Sequence, residues 1–263
     1  MELPVEAWYR AIPARTSRRS YETKLPDESL LARLARACRE FRPFPEARVE
    51  LVRGPAEGVF KGIIGGYGRI TGAPAYVAVI GGMDSPRAQE CAGYTGEGLI
   101  LEATSLGLGT CWVGGFFGRD VAAEQVGLKE GESLLAISPI GTARKSLTFT
   151  DRTFKLFAGS KRRQPLAELI AGGAVPDGAV RKALGAARLA PSAYNRQPWR
   201  FRVEDGAVVV RADKADEPGK ISRRLDCGIA MLHFELGARA SGLAGSWEFL
   251  PPPDVARFKF RPA

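Results

Sequence analysis

An α+β fold made of two related sheet-and-helix halves is what this 263-residue chain predicts, on two observations. The first is an internal repeat. "LPDESLLARLARA" (25–37) and "VPDGAVRKALGAA" (175–187) align at a constant offset, with Pro26, Asp27, Leu34 and Ala37 matched by Pro176, Asp177, Leu184 and Ala187. Further along, Gly93, Ala103, Gly107, Leu108 and Trp112 recur as Gly228, Ala238, Gly242, Leu243 and Trp247 with identical internal spacing. Two blocks repeated in the same order point to a duplicated domain rather than to a solenoid of short units. The second observation is that strand-like and helix-like segments interleave in both copies. The expected architecture is an intrachain pseudo-dimer, 1–150 and 151–263, joined near "TARKSLTFTDRTFKLFAGSKRR".

Each half predicts the same elements in the same order. A helix comes first, with an Asp able to cap free N–H groups (Asp27, Asp177) and apolar stripes at helical spacing: Leu30, Leu31, Leu34 and Cys38, then Val180, Ala183, Leu184 and Ala187. A strand follows, "RVELV" (48–52) or "WRFRV" (199–203), then a long apolar helix ending in Gly-Leu, then a strand carrying the Trp. "AYVAVIGG" (75–82) and "SLLAISPIG" (133–141) add strands to the first half, and "GAVVVRA" (206–212) adds one to the second.

Composition bounds the chemistry. With 45% hydrophobic and 25% charged residues the chain is an ordinary globular mixture. It shows neither a membrane span nor a signal peptide, so it is expected in the cytoplasm. The four cysteines, Cys38, Cys91, Cys111 and Cys227, are too scattered for a C-x-x-C pair and read as reduced, buried thiols. The one histidine, His233, lies on the stripe Ile229, Leu232, Leu236, Ala240 and reads as a packing residue, which removes a Ser-His-Asp triad and multi-histidine zinc sites. Neither "GGYGRITG" nor "GLGTCW" completes a dinucleotide or phosphate loop. If the protein is an enzyme, a bound cofactor carries the chemistry. The net charge of +9 gathers in two knots, "RTSRRS" (15–20) and "SKRRQP" (160–165), which suggests one anion held from two sides.

The only asparagine in the chain, Asn195, sits in "APSAYNRQPW" (190–199). The sequence A-P-S-x-x-N-x-Q-P-W between a helix end and a strand closely resembles the signature of the FMN-dependent nitroreductase superfamily. "IPARTSRRSYETKLPDE" looks like that family's R-x-S phosphate motif, "EATSLGLGTCWVGGFF" like its central helix and glycine loop, "VGLKEGESLLAISPIG" like its last strand, and "SKRRQPLAEL" like its K-x-R-x-P element. Together these cover most of residues 9–250. Ordinary members are homodimers in which the partner supplies the A-P-S-x-x-N motif. Here the first half carries the Arg/Ser motif and glycine loop, and the second carries A-P-S-x-x-N. The first half instead reads "CREFRPFPEARVELV", and the second reads "GSWEFLPPP" where Gly-Gly is expected. The chain is thus similar to the duplicated single-chain branch, a fused dimer with one site kept and one lost.

The resemblance implies residue roles. Arg15, Thr16, Ser17 and Arg19, with Lys161 and Arg163, would hold the FMN phosphate, and Arg18 could stand in for Arg19. Arg19 would also place positive charge near the reduced flavin. Gly114 and Gly115 would let backbone approach the flavin; Pro191, Ser192, Ala193 and Asn195 would form the opposite wall, with Gln197 and Trp199 fixing the loop. The plainer alternatives are a solvated basic surface, a turn at a strand end, and an asparagine satisfying its own turn. The implied activity is transfer of electrons from NAD(P)H through FMN to a small acceptor such as a nitroaromatic or quinone, by a monomer acting as a pseudo-dimer or a larger oligomer. The alternative is a flavin-binding or regulatory protein without turnover. Nucleic acid is disfavoured because few aromatics interleave with the arginines.

Overall fold

The computed structural model describes residues 1–54, 56–60, 70–144, 162–172 and 174–261. Lys161, the expected half boundary and most of the connecting segment lie outside them. In the first half, α1 (Val5–Ala14) and α2 (Glu28–Glu40) precede β1 (Ala47–Arg53), α3 (Glu57–Phe60), β2 (Ala75–Gly82), α4 (Ala88–Ser105), α5 (Arg119–Val126) and β3 (Glu132–Ile140). The rest supplies α6 (Leu166–Leu169), α7 (Gly178–Arg188), a 3-10 turn (Ala193–Asn195), β4 (Trp199–Glu204), β5 (Ala207–Ala212), α8 (Arg223–Arg239), β6 (Gly245–Phe249) and β7 (Asp254–Phe260).

Two antiparallel sheets result, ordered β1-β2-β3 and β4-β5-β7-β6. The alternation of apolar residues sets their registers, with Val49 opposite Val79 and Trp247 opposite Phe258. β2 is buried along almost its whole length, because helices cover one face and a smaller apolar cluster around Tyr21, Tyr76 and Ile137 covers the other. Single bridges extend the first sheet: Gly109 and Val113 pair with Gly141 and Ile137, and Ser17 pairs in parallel with Thr110. The basic segment after α1 therefore runs beside the strand that leads into Gly114 and Gly115.

The two long helices α4 and α8 cross at the centre. Their contact is reciprocal. A Cβ on Gly93 would stand 2.0 Å from the Leu225 carbonyl oxygen, and one on Gly228 would stand 2.0 Å from that of Glu90. Glycine is required at both places because backbone touches backbone. Both helices are buried nearly all round, so their carboxylates need partners. Tyr94 Oη and Trp247 Nε1 donate to Glu235 at 2.7 and 2.9 Å, while Trp112 Nε1 donates to Glu97 at 2.7 Å. His233, fully buried, lies between Glu97 Oε1 (2.8 Å) and the Ala186 carbonyl (3.2 Å), as the packing reading of this residue requires.

All four cysteines are free and buried. Among the described residues no helix is long and apolar enough to cross a membrane. One local expectation is overturned: neither Asp27 nor Asp177 caps its helix with its side chain. The Asp27 backbone carbonyl takes the Leu30 and Leu31 amides instead, and both carboxylates face solvent, where hydration satisfies them.

Candidate active site

The basic cluster is built at three chain turns. α1 ends at Arg15, whose extended backbone (φ −62°, ψ 125°) sends the chain along Thr110, with the Arg18 amide donating to the Thr110 carbonyl at 2.8 Å. Arg163 arrives just before α6, and Arg188 closes α7. Burial, then the nearby charges of Arg15 and Arg188, lower the Arg163 guanidinium to about 10. Three guanidinium groups have been drawn together against their repulsion. Among the described residues no acceptor meets the buried Nε and Nη1 of Arg15. An unmet buried donor pair beside two further cations calls for an anion, and a phosphate monoester fits that donor set.

The loop 190–197 joins this cluster through Arg163. Arg163 Nη1 donates to Asn195 Oδ1 at 3.0 Å, and Asn195 Nδ2 donates to the Arg162 carbonyl at 2.9 Å. Gln197 takes the Gln164 amide on Oε1 (2.9 Å) and donates to the Arg162 carbonyl from Nε2 (3.2 Å). The lone asparagine thus uses both polar ends on the basic segment. Ser192 Oγ accepts from the Gln197 amide at 2.9 Å, which ties the loop to itself.

This loop is bent against backbone preference. Tyr194, Asn195 and Gln197 have φ of 52°, 55° and 49°. Asparagine tolerates that region, whereas bulkier residues are held there at about 1–3 kcal/mol each. Tyr194 is also 74% exposed, so its own side chain contributes little to holding the turn. The grip comes from Asp226 in the first turn of α8. Its carboxylate accepts from the Ala193 amide at 3.1 Å and from Arg196 Nε at 2.8 Å, while Arg196 Nη2 also donates to the Ile221 and Ser222 carbonyls at 2.8 Å.

The glycine loop meets the same region. A Cβ on Gly114 would lie 3.1 Å from Ile221 Cδ1, whereas one on Gly115 would meet nothing within 4 Å. Gly114 therefore packs on the residue whose carbonyl anchors Arg196, and Gly115 borders open space. Of the residues named from sequence, Arg15, Arg163, Ser192, Ala193 and Asn195 are linked through this cluster, with Pro191 adjoining it in the chain and Gly114 joined by Ile221. Ser17 pairs with Thr110, and Thr16 lies between it and Arg15. The Arg19 carbonyl accepts from the Thr71 amide at 2.8 Å. Lys161 lies outside the described residues. Sequence reasoning passed over Arg188, Arg196, Ile221 and Asp226; only the basic C-terminus of α7 hinted at Arg188.

At the offset relating Pro26 to Pro176, Phe44 corresponds to Tyr194 and Glu46 to Arg196; at the offset relating Gly93 to Gly228, Phe249 corresponds to Gly114 and Cys91 to Asp226. The residues at those offsets pack against one another. Phe44 meets Phe249 edge to face with centroids 5.1 Å apart, and the Arg87 guanidinium lies 4.9 Å over the Phe249 ring. Arg87 also pairs with Glu46, and Cys91 Sγ lies 3.9 Å from Glu46 Oε2.

Comparison with known proteins gives the same direction. A solved structure described as a putative nitroreductase from Thermotoga maritima superposes over 97% of this chain and 94% of its own, with TM-score 0.64 at 19% identity, a likeness of fold. A nitroreductase with bound FMN from Desulfitobacterium hafniense covers 53% of this chain and 90% of its own, with TM-score 0.45 and 22% identity. A protein of two Mycobacterium tuberculosis strains named "Putative NAD(P)H nitroreductase acg" is 33% identical over 94 residues, 32% of this chain and 28% of that protein. The match therefore spans less than a third of that relative. The model of the family described as "Putative TM nitroreductase" matches residues 7–238, and the chain belongs to that nitroreductase family.

Proposed function

We propose that the chain is an FMN-dependent oxidoreductase that passes electrons from NAD(P)H to a small acceptor such as a nitroaromatic or quinone. The observation that carries this reading is the pair of guanidinium groups, Arg15 after α1 and Arg163 before α6, drawn together despite their repulsion, with Arg15 donors unmet among the described residues and Asn195 bonded to Arg163. Arg15 and Arg163, with Ser17 and Lys161, would hold the FMN phosphate through charge-assisted bonds. Thr16 would shape that segment. Gly114 and Gly115 would present backbone to the ring system, and Pro191, Ser192, Ala193 and Asn195 would wall the other side. Arg19 would add positive charge near the ring. When bound, FMN supplies the hydride and electron transfer that these side chains lack.

We further read the chain as an intrachain pseudo-dimer with one flavin site. The reciprocal Gly93 and Gly228 contact and the aromatic filling around Phe44 and Phe249 support it. The test begins with the visible spectrum of the purified protein and chromatography of any released cofactor. Arg15→Ala and Arg163→Ala should each weaken FMN binding by about ten- to a hundredfold, since each removes a contact worth about 1.5–3 kcal/mol. Reduction of bound flavin by NAD(P)H and reoxidation by an added quinone should follow. An unchanged FMN dissociation constant in both variants removes the phosphate assignment, and a flavin that NAD(P)H leaves oxidised removes the enzymatic one.

A further inference from the structure

We propose that Asp226 is a positioning residue: its buried carboxylate locks the strained 192–197 loop in the shape that closes the flavin cleft, and neutralising it loosens the hold on flavin. The inference rests on the flavin reading above, but its geometry is independent of it. Two donors converge on Asp226, the Ala193 amide and the Arg196 guanidinium. The carboxylate offers each donor its own oxygen, Oδ1 to the Ala193 amide and Oδ2 to Arg196, and a charge to the guanidinium; an amide or protonated acid keeps one acceptor oxygen, turns a donor toward the other and removes the charge. Between those two anchored residues lie Tyr194 and Asn195 at positive φ, and Gln197 follows. A chain bent that way returns to easier backbone angles once its tether weakens. Asn195 would then withdraw from Arg163, and the cluster would lose its wall from the second half.

The contrast with Cys91 strengthens the assignment. At the corresponding place in the first half, Cys91 faces Glu46 at 3.9 Å, and the segment beside it has no positive φ. A carboxylate grip is present where the loop is strained and missing where it is not.

The same carboxylate sits near the edge of ionisation. Burial pushes Asp226 up to about 6 against the opposing pull of Arg196 and the Ala193 amide, and Asp216 adds to the rise. Its neighbour in the chain, Cys227, is in turn acted on by Asp226 itself, Asp213 and the Arg224–Glu90 pair that bridges α8 to α4. An acid whose folded-state pKa lies above its ordinary value adds to fold stability at low pH and loses that contribution as pH rises through about 6. Acid release of the loop through Asp226 is therefore not acid unfolding: flavin affinity falls while this group's share of stability rises.

The test compares FMN dissociation constants of the wild-type chain and Asp226→Asn at pH 7.5 and pH 5. The FMN phosphate titrates near pH 6 as well, but it cancels from the ratio of the two constants. We expect Asp226→Asn to bind roughly tenfold more weakly at pH 7.5 and the ratio to shrink toward one at pH 5, where the wild-type carboxyl is itself neutral. In flavin-free protein, the Ala193 amide should exchange its hydrogen faster in Asp226→Asn at pH 7.5, with the melting temperature maintained. A ratio near one at pH 7.5, a ratio that stays constant with pH, or unchanged Ala193 exchange overturns the proposal. A wild-type chain that binds no FMN overturns the flavin reading, and the exchange measurement then decides the loop tether separately. Should Asp226→Asn fail to fold, Arg196→Gln removes one donor and leaves the carboxylate for Ala193. It should weaken FMN binding at pH 7.5 and move the pH response upward, because Arg196 no longer holds the Asp226 carboxyl down, and wild-type affinity in that variant counts against the tether.

Discussion

Two loops follow helices that share the Pro-Asp start, one after α7 and one after α2, and they have opposite characters. The loop after α7 is polar, bent into positive φ at Tyr194, Asn195 and Gln197, and fastened to the buried Asp226 carboxylate and to the Arg163 guanidinium. The loop after α2 carries Phe41 and Phe44 into an aromatic stack with Tyr94 and Phe249. Strain, desolvated charge and, among the described residues, unmet Arg15 donors set the first region apart and are the features the flavin reading uses. Edge-to-face rings and a cation over a ring satisfy one another. What separates a site from a core here is whether the groups that converge complete each other.

The spine that both loops share gives the largest effect. In Gly93→Ala and Gly228→Ala the new Cβ must push a carbonyl oxygen 2.0 Å away, which no side-chain rotation relieves. Each should lose about 3 kcal/mol or more by urea unfolding, even though alanine favours helices by about 1 kcal/mol. Equal losses sharpen the reciprocal contact; one silent substitution breaks it.

Next come the aromatic plug and its opposite. Phe44→Ala and Phe249→Ala should each cost about 1–3 kcal/mol of stability, since both rings are half-buried, and should leave FMN affinity unchanged. Arg163→Ala should do the reverse, weakening flavin while leaving the melting temperature of flavin-free protein unchanged or raised, because its neighbours Arg15 and Arg188 repel it. Loss of flavin affinity in the phenylalanine variants would erase the contrast between the two loops.

Much of this fold is legible in the sequence. β2 spans the residues its apolar run predicts, β1, β3, β4 and β5 fall within a residue of expectation, and the repeated glycines mark the crossing of α4 and α8. α1 is hidden because Pro4 precedes it and Pro13 lies inside its last turn, and β7 because the register shifts between Val210 and Arg211 beside it, disturbing its alternation. In the cleft, the clustered arginines and the lone asparagine announce themselves by composition. Asp226 and Arg196 do not: on its own helix Asp226 is one acid in a basic first turn, and its meaning comes from a loop thirty residues away. Periodicity reports which face of an element is buried, never what it is buried against. The same limit hid the plug, since Phe44 and Phe249 acquire their role only when the two halves meet.

The central claim is that one chain completes one cleft from its two halves. An Arg15→Ala/Arg163→Ala chain mixed with a Ser192→Ala/Asn195→Ala chain, denatured and refolded together to allow exchange, tests it most directly through the FMN titration of the mixture. With the cleft closed inside each chain, every site carries a defect and no fraction binds with wild-type affinity. A fraction of sites recovering wild-type affinity would mean that chains lend their motifs to one another, and would contradict the account.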